Sequence, residues 1–250
     1  MAAQAPDTVA LEALTWTELR ALIQAGKTTL ILPVGGTEQN GPHMALGKHN
    51  ARVAVLSEKI ARALGDAVVA PVLAYVPEGR LQPPTGHMRF PGTFTVPDEV
   101  FDKLLEAATR SARAHGFRHV VVLSDHGSTG PIARAVATRL NREWASTPVR
   151  VHAIDEYYQA ATVGFARLLE ERGFRREEIG QHAGLADTSL TLALVPALVR
   201  SDGLRGHAGR EQDEGVSGDP ARATPELGAL GVDLIVRETV RAIRRSTNPR

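Results

Sequence analysis

Residues 119–125 read HVVVLSD and carry the clearest strand signal in the sequence. The run is rich in β-branched residues and is apolar throughout its centre, as is typical of a strand that is buried on both faces. The segment 100–116 before it has helical periodicity and ends at Gly116, a natural helix stop. A second helical pattern follows over 131–145. Helix, buried strand and helix in succession predict a parallel sheet that helices cover.

The same alternation continues in both directions along the chain. We predict further strands over 28–34, over 67–76 with an interruption at Pro71, and over 149–155, and further helices over 53–64, 157–173 and 227–245. Glu18 follows Thr15 at the spacing of a capping box, and 199–225 is a long glycine-rich excursion. The order predicts an α/β fold with a mainly parallel sheet between helices, in one domain over 1–250 with frayed ends at 1–10 and 246–250.

Composition excludes several classes of function. The chain has 250 residues, with 29 Lys and Arg against 28 Asp and Glu, and it contains no cysteine. A near-neutral chain has no net field that would hold nucleic acid or an anionic membrane, and no apolar run approaches the roughly 18 residues of a membrane span. With a start that also lacks the pattern of a secretory signal, we expect a cytoplasmic protein that binds neither nucleic acid nor membranes, with any metal held by His, Asp, Glu or Asn.

Polar side chains follow the predicted strands at their carboxyl ends, where open α/β sheets bind ligands. They are Glu38, Asn40, His43 and His49 after the first strand, Asp125 and His126 after the strand at 119–125, and His182 and Asp187 after the helix at 157–173. A lone loop histidine is more often a surface or hydrogen-bonding residue, but three such clusters favour a shared site. His87 is left open between the two interpretations. His115, His119, His152 and His207 are interpreted as structural.

At these residues the sequence resembles the creatininase (creatinine amidohydrolase) family. LPVGGTEQNGPH (32–43) is similar to the family's LPVGxxEQHGPH, SDHGS replaces NGHGG, and HAGLADTS is similar to HAGxxETS. The resemblance covers most of the chain in order. It implies a three-layer α/β/α sandwich, assembly into homo-oligomers that are often hexamers, and hydrolysis of C–N bonds in small amides, lactams or formamides with divalent metals.

Three positions depart from the family pattern. Glu38 is kept, whereas Asn40 replaces a metal-binding His and His49 stands where the family has an Asp that bridges two metal ions. Ser128 replaces a Glu that binds the second metal in the creatinine-hydrolysing branch. A neutral imidazole has one lone pair and cannot bridge two cations about 3.5–4 Å apart as a carboxylate does. Glu38, His49 and His126 therefore predict one divalent metal, zinc first, with iron or manganese as alternatives.

The remaining assignments follow from this metal site and from the resemblance. We assign proton transfer to His182 and Asp125, and assign to Asp187 the orientation of a ring nitrogen. The predicted substrate-contacting residues are Asn40, His43, Gln181, Ser128, Thr129 and Tyr157, with Tyr158 and Trp144 as further candidates for the pocket wall. The backbone amides near Gly35, Gly36, Ser128 and Thr129 could reach a substrate oxygen, although ordinary turn chemistry explains these residues equally well.

Three functions are compatible with these residues. The first is a mononuclear metal hydrolase that cleaves a C–N bond of a small molecule. The second is a metalloenzyme of the same fold with isomerase or lyase chemistry, since a changed metal site can accompany changed chemistry. The third is a catalytically silent ligand-binding homologue, against which the retention of three good ligands argues.

Overall fold

The computed structural model describes residues 7–208 and 210–248 of the chain. Its centre is a four-stranded, fully parallel sheet in the order β2-β1-β3-β4. The strands are β1 (Thr29–Val34), β2 (Ala67–Val69), β3 (His119–Ser124) and β4 (Arg150–Ala153). The predicted buried strand at 119–125 is thus the central β3, which pairs with β1 on one side and β4 on the other.

Helices connect the strands and continue after the last of them. They are α1 (Trp16–Gln24), α2 (Lys48–Leu64), α3 (Asp98–Ala114), α4 (Gly130–Glu143), α5 (Asp155–Gln159), α6 (Phe165–Glu170), α7 (Arg176–Ile179), α8 (Leu185–Leu194), α9 (Glu211–Glu214) and α10 (Pro225–Thr247). A π-helical turn over Ala160–Gly164 joins α5 to α6. The capping box predicted at Thr15 and Glu18 is present at the start of α1.

Alternating side chains of the sheet enter two separate cores. Ile31 of β1 and Val121 of β3 pack against α2, α5, α6, α8 and α10, whereas Leu32 and Val122 pack against α3 and α4 on the opposite face. This alternation is the period of two of a strand whose faces are both covered. The chain is therefore a three-layer α/β/α sandwich, as predicted.

Several predicted boundaries differ from those observed, and the helix predicted over 53–64 begins already at Lys48. The strand predicted over 67–76 ends at Val69, because Pro71 has no N–H to donate, and beyond it only Leu73 pairs with the end of β1. The predicted frayed ends lie partly outside the described residues. Within the described part, Val9 is buried and its carbonyl accepts from the Val69 amide, and α10 reaches Thr247.

The helix α8 was not predicted. Its sequence, LADTSLTLAL, mixes hydroxyl and apolar side chains, and Thr188, Ser189 and Thr191 are all fully buried. A helix that is buried on most sides has no polar stripe, so the period of 3.6 is missing. No helix among the described residues is both long enough and apolar enough to cross a membrane.

Candidate metal centre

Three of the predicted metal ligands meet at the carboxyl end of the sheet. Glu38 lies in the loop after β1, His49 in the first turn of α2, and His126 directly after β3. The Nε2 atom of His49 is 2.7 Å from Oε1 of Glu38, and Nε2 of His126 is 3.1 Å from Oε2. One nitrogen of each ring and one oxygen of Glu38 lie within 4.8 Å of one another. This group has the donor atoms and the spacing that a metal ion requires.

Hydrogen bonds fix which nitrogen of His49 is free. Its Nδ1 lies 2.6 Å from Oδ2 of Asp125, which also accepts from the guanidinium of Arg52 at 2.8 Å. Burial would raise the pKa of Asp125, but Arg52 and His49 outweigh burial and lower it. An ionised carboxylate can only accept, so Nδ1 of His49 donates to Asp125, and Nε2 is the ring nitrogen that faces Glu38 and that would bind a metal ion.

Asp125 therefore has a different position from the one that its predicted proton-transfer role needs. It is 2% exposed, and its other oxygen accepts from the hydroxyl of Tyr157 at 2.7 Å. Asp125 accepts four hydrogen bonds, one from His49, two from Arg52 and one from Tyr157. Because it is also buried away from both solvent and any cavity, Asp125 has no proton to exchange with a substrate. Tyr157, predicted to contact substrate, is also fully buried and lies beneath the site, where its hydroxyl bonds Asp125.

The ring of His126 is oriented by Ser128. The Ser128 hydroxyl donates to the carbonyl oxygen of Pro77 at 2.7 Å and lies 2.8 Å from Nδ1 of His126. Because its single proton is already used, the hydroxyl accepts from Nδ1, so Nε2 is the ring nitrogen that faces Glu38 and that would bind a metal ion. Ser128 was predicted to contact substrate, but its hydroxyl is occupied by these two bonds.

A fourth ionisable residue, Glu78, completes this cluster and was missed from the sequence. Its side chain is fully buried, and its Oε2 atom is 2.9 Å from Nε2 of His126. Burial raises the pKa of Glu78, whereas His49 and His126 outweigh burial at Glu38 and hold the pKa of Glu38 far below its ordinary value. Burial would lower the pKa of His126, but the two carboxylates raise it to about 10. The pair of carboxylates thus favours a positive charge between them.

A second group of possible ligands shares Glu38. Nε2 of His87 is 3.4 Å from Oε2 of Glu38, and Nδ1 of His182 is 3.6 Å from Oε1. The amide of Gln39 decides the tautomer of His87. Its oxygen accepts from the Gly41 amide, and its nitrogen donates to the Gly215 carbonyl and lies 2.7 Å from Nδ1 of His87. Nδ1 of His87 therefore accepts, and its Nε2 carries the proton and presents a donor, not a lone pair.

His182 has the opposite tautomer. Its Nε2 lies 2.9 Å from the carbonyl oxygen of Gln39 and so donates, which leaves the Nδ1 lone pair facing Glu38. Burial and the nearby ammonium of Lys48 lower the pKa of His182 to about 3. A donor on His87 and an acceptor on His182 therefore face the same point beside Glu38.

Asp187 lines the larger cavity but makes no hydrogen bond with His182, and both of its oxygens accept from other groups of the protein. It accepts from Lys48 at 2.7 Å, from Arg52 at 2.6 Å and from the amide of Ala183 at 2.9 Å. Burial would raise the pKa of Asp187, but the two cations hold it well below its ordinary value. Asp187 orients the segment next to His182 through the Ala183 backbone, which has φ +56°. Lys48, fully buried, was missed from the sequence.

Five other residues predicted to contact substrate make hydrogen bonds within the protein. The amide nitrogen of Asn40 donates to the carbonyls of Glu38 and Ala45, and Asn40 is fully buried. His43 is also fully buried, with Nε2 3.1 Å from the Thr188 hydroxyl. Thr129 donates to the His126 carbonyl. The amides of Gly35 and Gly36 donate to Leu73 and to Asn50, so neither is free for a substrate oxygen.

Two cavities adjoin the centre and meet at Tyr158. One, of about 750 Å³, is lined by Gln181 and His182 among others, and the second, of about 220 Å³, is lined by His126. Tyr158 lines both and is 37% exposed. Gln181 thus lines the larger cavity, and its contact with a substrate stays a prediction. Of the aromatic residues predicted for the pocket wall, Tyr158 lines these cavities, whereas Trp144 is buried in the core on the other face of the sheet.

Curated relatives of the chain are hydrolases. The creatinine amidohydrolase of Pseudomonas putida is 27% identical over 253 residues, which cover 94% of this chain and 96% of that protein. The mycofactocin precursor peptide peptidase of Mycobacterium tuberculosis is 27% identical over 243 residues, which cover 87% of this chain and 85% of that protein.

Solved structures of creatininases have the same fold. A creatininase in a Mn form matches with a TM-score of 0.81 and 26% identity, covering 97% of this chain and 100% of that chain. A mutant creatininase of Zn-Zn type matches with a TM-score of 0.77 and 26% identity, covering 98% of this chain and 100% of that chain. The profile of the creatininase (creatinine amidohydrolase) family matches residues 12–243. The chain is a member of the creatininase family.

Proposed function

We propose that the chain is a metal-dependent hydrolase that cleaves a C–N bond of a small amide, lactam or formamide with one divalent ion. The observation that carries this proposal is the pair of imidazoles, on His49 and His126, whose Nε2 atoms converge on Glu38. Both rings donate from Nδ1 to a fixed acceptor, which is the usual arrangement of metal-binding histidines. The Mn and Zn-Zn forms of related creatininases support a metal ion at this site without deciding which metal it is.

The residues fit such an ion by charge as well as by geometry. Oε1 of Glu78 is buried without a hydrogen-bond donor, and Oε2 lies 2.9 Å from Nε2 of His126, so this buried carboxylate depends on a positive charge beside it, which a bound cation would supply. Two neutral imidazoles together with Glu38 suit zinc, and iron or manganese remain alternatives. When bound, a divalent ion at this position polarises a carbonyl group and lowers the pKa of water.

We propose one metal ion per chain instead of two because of the tautomer of His87. The second group would need lone pairs on both His87 and His182, and Nε2 of His87 bears its proton. Instead, this N–H can donate to the oxygen of a substrate carbonyl, and Nδ1 of His182 can accept a proton from the attacking water. Because His182 is a weak base, its protonated ring would readily return that proton to the leaving nitrogen.

The substrate is proposed to enter through the cavity lined by Gln181 and Tyr158. A peptide amide is a second candidate, since a relative is named as a precursor peptide peptidase and the cavity of about 750 Å³ opens at the surface. Assays of amide, lactam, formamide and peptide substrates with the metal-loaded protein test the proposal. Hydrolysis that releases ammonia or an amine and that depends on His182 supports the proposed function. Metal-dependent isomerisation or elimination without hydrolysis contradicts the proposed function. A protein that binds metal and ligands without turnover would be the silent homologue.

The assembly and location of the chain stay predictions. We propose a homo-oligomer, a hexamer by family resemblance, in the cytoplasm. Large apolar side chains at the surface support an interface, among them Trp16, Leu81 and Phe94, which are 69%, 68% and 56% exposed. Light scattering of the purified protein tests this, since a monomer at micromolar concentration contradicts it.

A further inference from the structure

Glu78 is an acidic residue of the site that lies outside the sequence motifs shared with the creatininase family. It lies in the loop after β2. Its backbone amide donates to the hydroxyl of Thr95 at 3.0 Å, which fixes the backbone at Glu78. The residue is 7% exposed, and its side chain is fully buried. Such a position is rare for a carboxylate that has no compensating partner.

The carboxylate of Glu78 points at the centre formed by the other ligands. Oε2 of Glu78 and Oε2 of Glu38 lie 2.9 Å and 3.1 Å from the same atom, Nε2 of His126. Atoms that share one zinc ion at about 2.0–2.2 Å lie roughly 3–3.5 Å apart in a tetrahedral site. The two distances from Nε2 of His126 are thus close to those expected between ligands of one ion.

The surrounding chain makes room for this carboxylate. A Cβ atom at Gly36 would lie 2.8 Å from Oε1 of Glu78, so a side chain at position 36 would displace this carboxylate from its present position. Ser128 anchors the same loop, because its hydroxyl donates to the carbonyl oxygen of Pro77, directly before Glu78. An ionised glutamate at position 128 could not donate this bond.

We propose that Glu78 is a carboxylate ligand of the ion held by Glu38, His49 and His126, and that it supplies from the β2 loop the negative charge that Ser128 does not. This inference rests on the proposed metal site. Two carboxylates and two neutral imidazoles balance the charge of one divalent cation. The chain thus compensates within a single site for a lost acidic position, without rebuilding a second site.

Co²⁺ titration of the full-length protein tests this proposal, because the visible absorption of bound Co²⁺ depends on the number and type of its ligands. We expect Glu78→Gln to weaken Co²⁺ binding at least tenfold and to change the absorption spectrum. The control is Glu178→Gln, which changes an equally buried glutamate that pairs with Arg222 outside the site. We expect it to leave affinity and spectrum unchanged.

An unchanged affinity and spectrum in Glu78→Gln would overturn the proposal while leaving the metal site of Glu38, His49 and His126 intact. Failure of the unaltered protein to bind Co²⁺ would instead overturn the proposed function. If Glu78→Gln does not fold, Glu78→Asp keeps the charge on a shorter side chain. We then expect a changed Co²⁺ spectrum with partial affinity, and a spectrum identical to that of the parent would count against Glu78 as a ligand.

Discussion

The hydroxyl of Ser128 lies 2.8 Å from Nδ1 of His126 and accepts a hydrogen bond from it, because the hydroxyl itself donates a hydrogen bond to the carbonyl oxygen of Pro77. This one contact orients the His126 ring so that Nε2 faces Glu38. We expect Ser128→Ala to weaken metal binding by about 10–100-fold, the usual effect of removing a group that orients a metal-binding histidine. Calorimetric titration with Zn²⁺ measures this. An affinity equal to that of the parent would show that the ring is held by other contacts.

His126→Ala should have a larger effect than Ser128→Ala. It removes the ligand itself, so metal affinity should fall by more than about 100-fold. The fold should persist, because the side chain is 13% exposed beside a cavity and its loss leaves no large apolar void. Metal content and circular dichroism of the purified variant check both parts. Full metal content would remove His126 from the site.

The two adjacent tyrosines should behave differently. Tyr157→Phe removes a hydrogen bond to the buried Asp125 and should lower the free energy of unfolding by about 1–3 kcal/mol, with little change in KM. Tyr158→Phe, whose hydroxyl belongs to the exposed cavity wall, should alter KM and keep stability within about 0.5 kcal/mol. Denaturant unfolding and steady-state kinetics separate them. A KM effect confined to Tyr157→Phe would reverse this assignment.

His182→Gln should separate binding of the metal from turnover. Nδ1 of His182 is 3.6 Å from Glu38, and in our proposal it moves protons without holding the ion. Metal content should stay at the parental level, while kcat falls by about 10²–10⁴-fold, the usual contribution of a general acid–base group. Loss of the metal together with activity would show that His182 is a ligand.

Asn40→Ala tests a residue at a position that binds metal elsewhere in the family. The Asn40 amide nitrogen bonds two backbone carbonyls of its own loop, and we expect the variant to keep most of its metal. Its stability should fall by about 1–3 kcal/mol, because the buried carbonyls lose their donor. Complete loss of metal would show that the unpartnered Oδ1 of Asn40 is a ligand.

The acid sensitivity of the fold should depend on His152, on β4 beside His119. Burial and His119 lower the pKa of His152 to about 4, below the value of about 6.5 in an unfolded chain. The unfolded state therefore binds the proton first, and this contribution to stability is lost as the pH falls from about 6.5 towards 4. His152→Gln should show a smaller drop in Tm between pH 7.5 and pH 5 than the parent. An equal drop would place the acid sensitivity elsewhere.

The layers of the fold and the convergence of Glu38, His49 and His126 could be predicted from the sequence, because buried strands and strand-end residues have local signatures. The residues that orient the site could not. Tyr157 and Tyr158 are neighbours in sequence, yet one is fully buried and the other lines both cavities. Lys48 and Glu78 look like surface charges in sequence, and only tertiary packing buries them.

The most direct test of the central claim is the number of metal ions bound per chain, measured by elemental analysis after titration with excess Zn²⁺ or Mn²⁺. We predict one ion per chain, lost in His126→Ala and retained in His87→Ala, since Nε2 of His87 carries a proton in the hydrogen-bond network of Gln39. Two ions per chain in the parent, with one of them lost in His87→Ala, would contradict the mononuclear site.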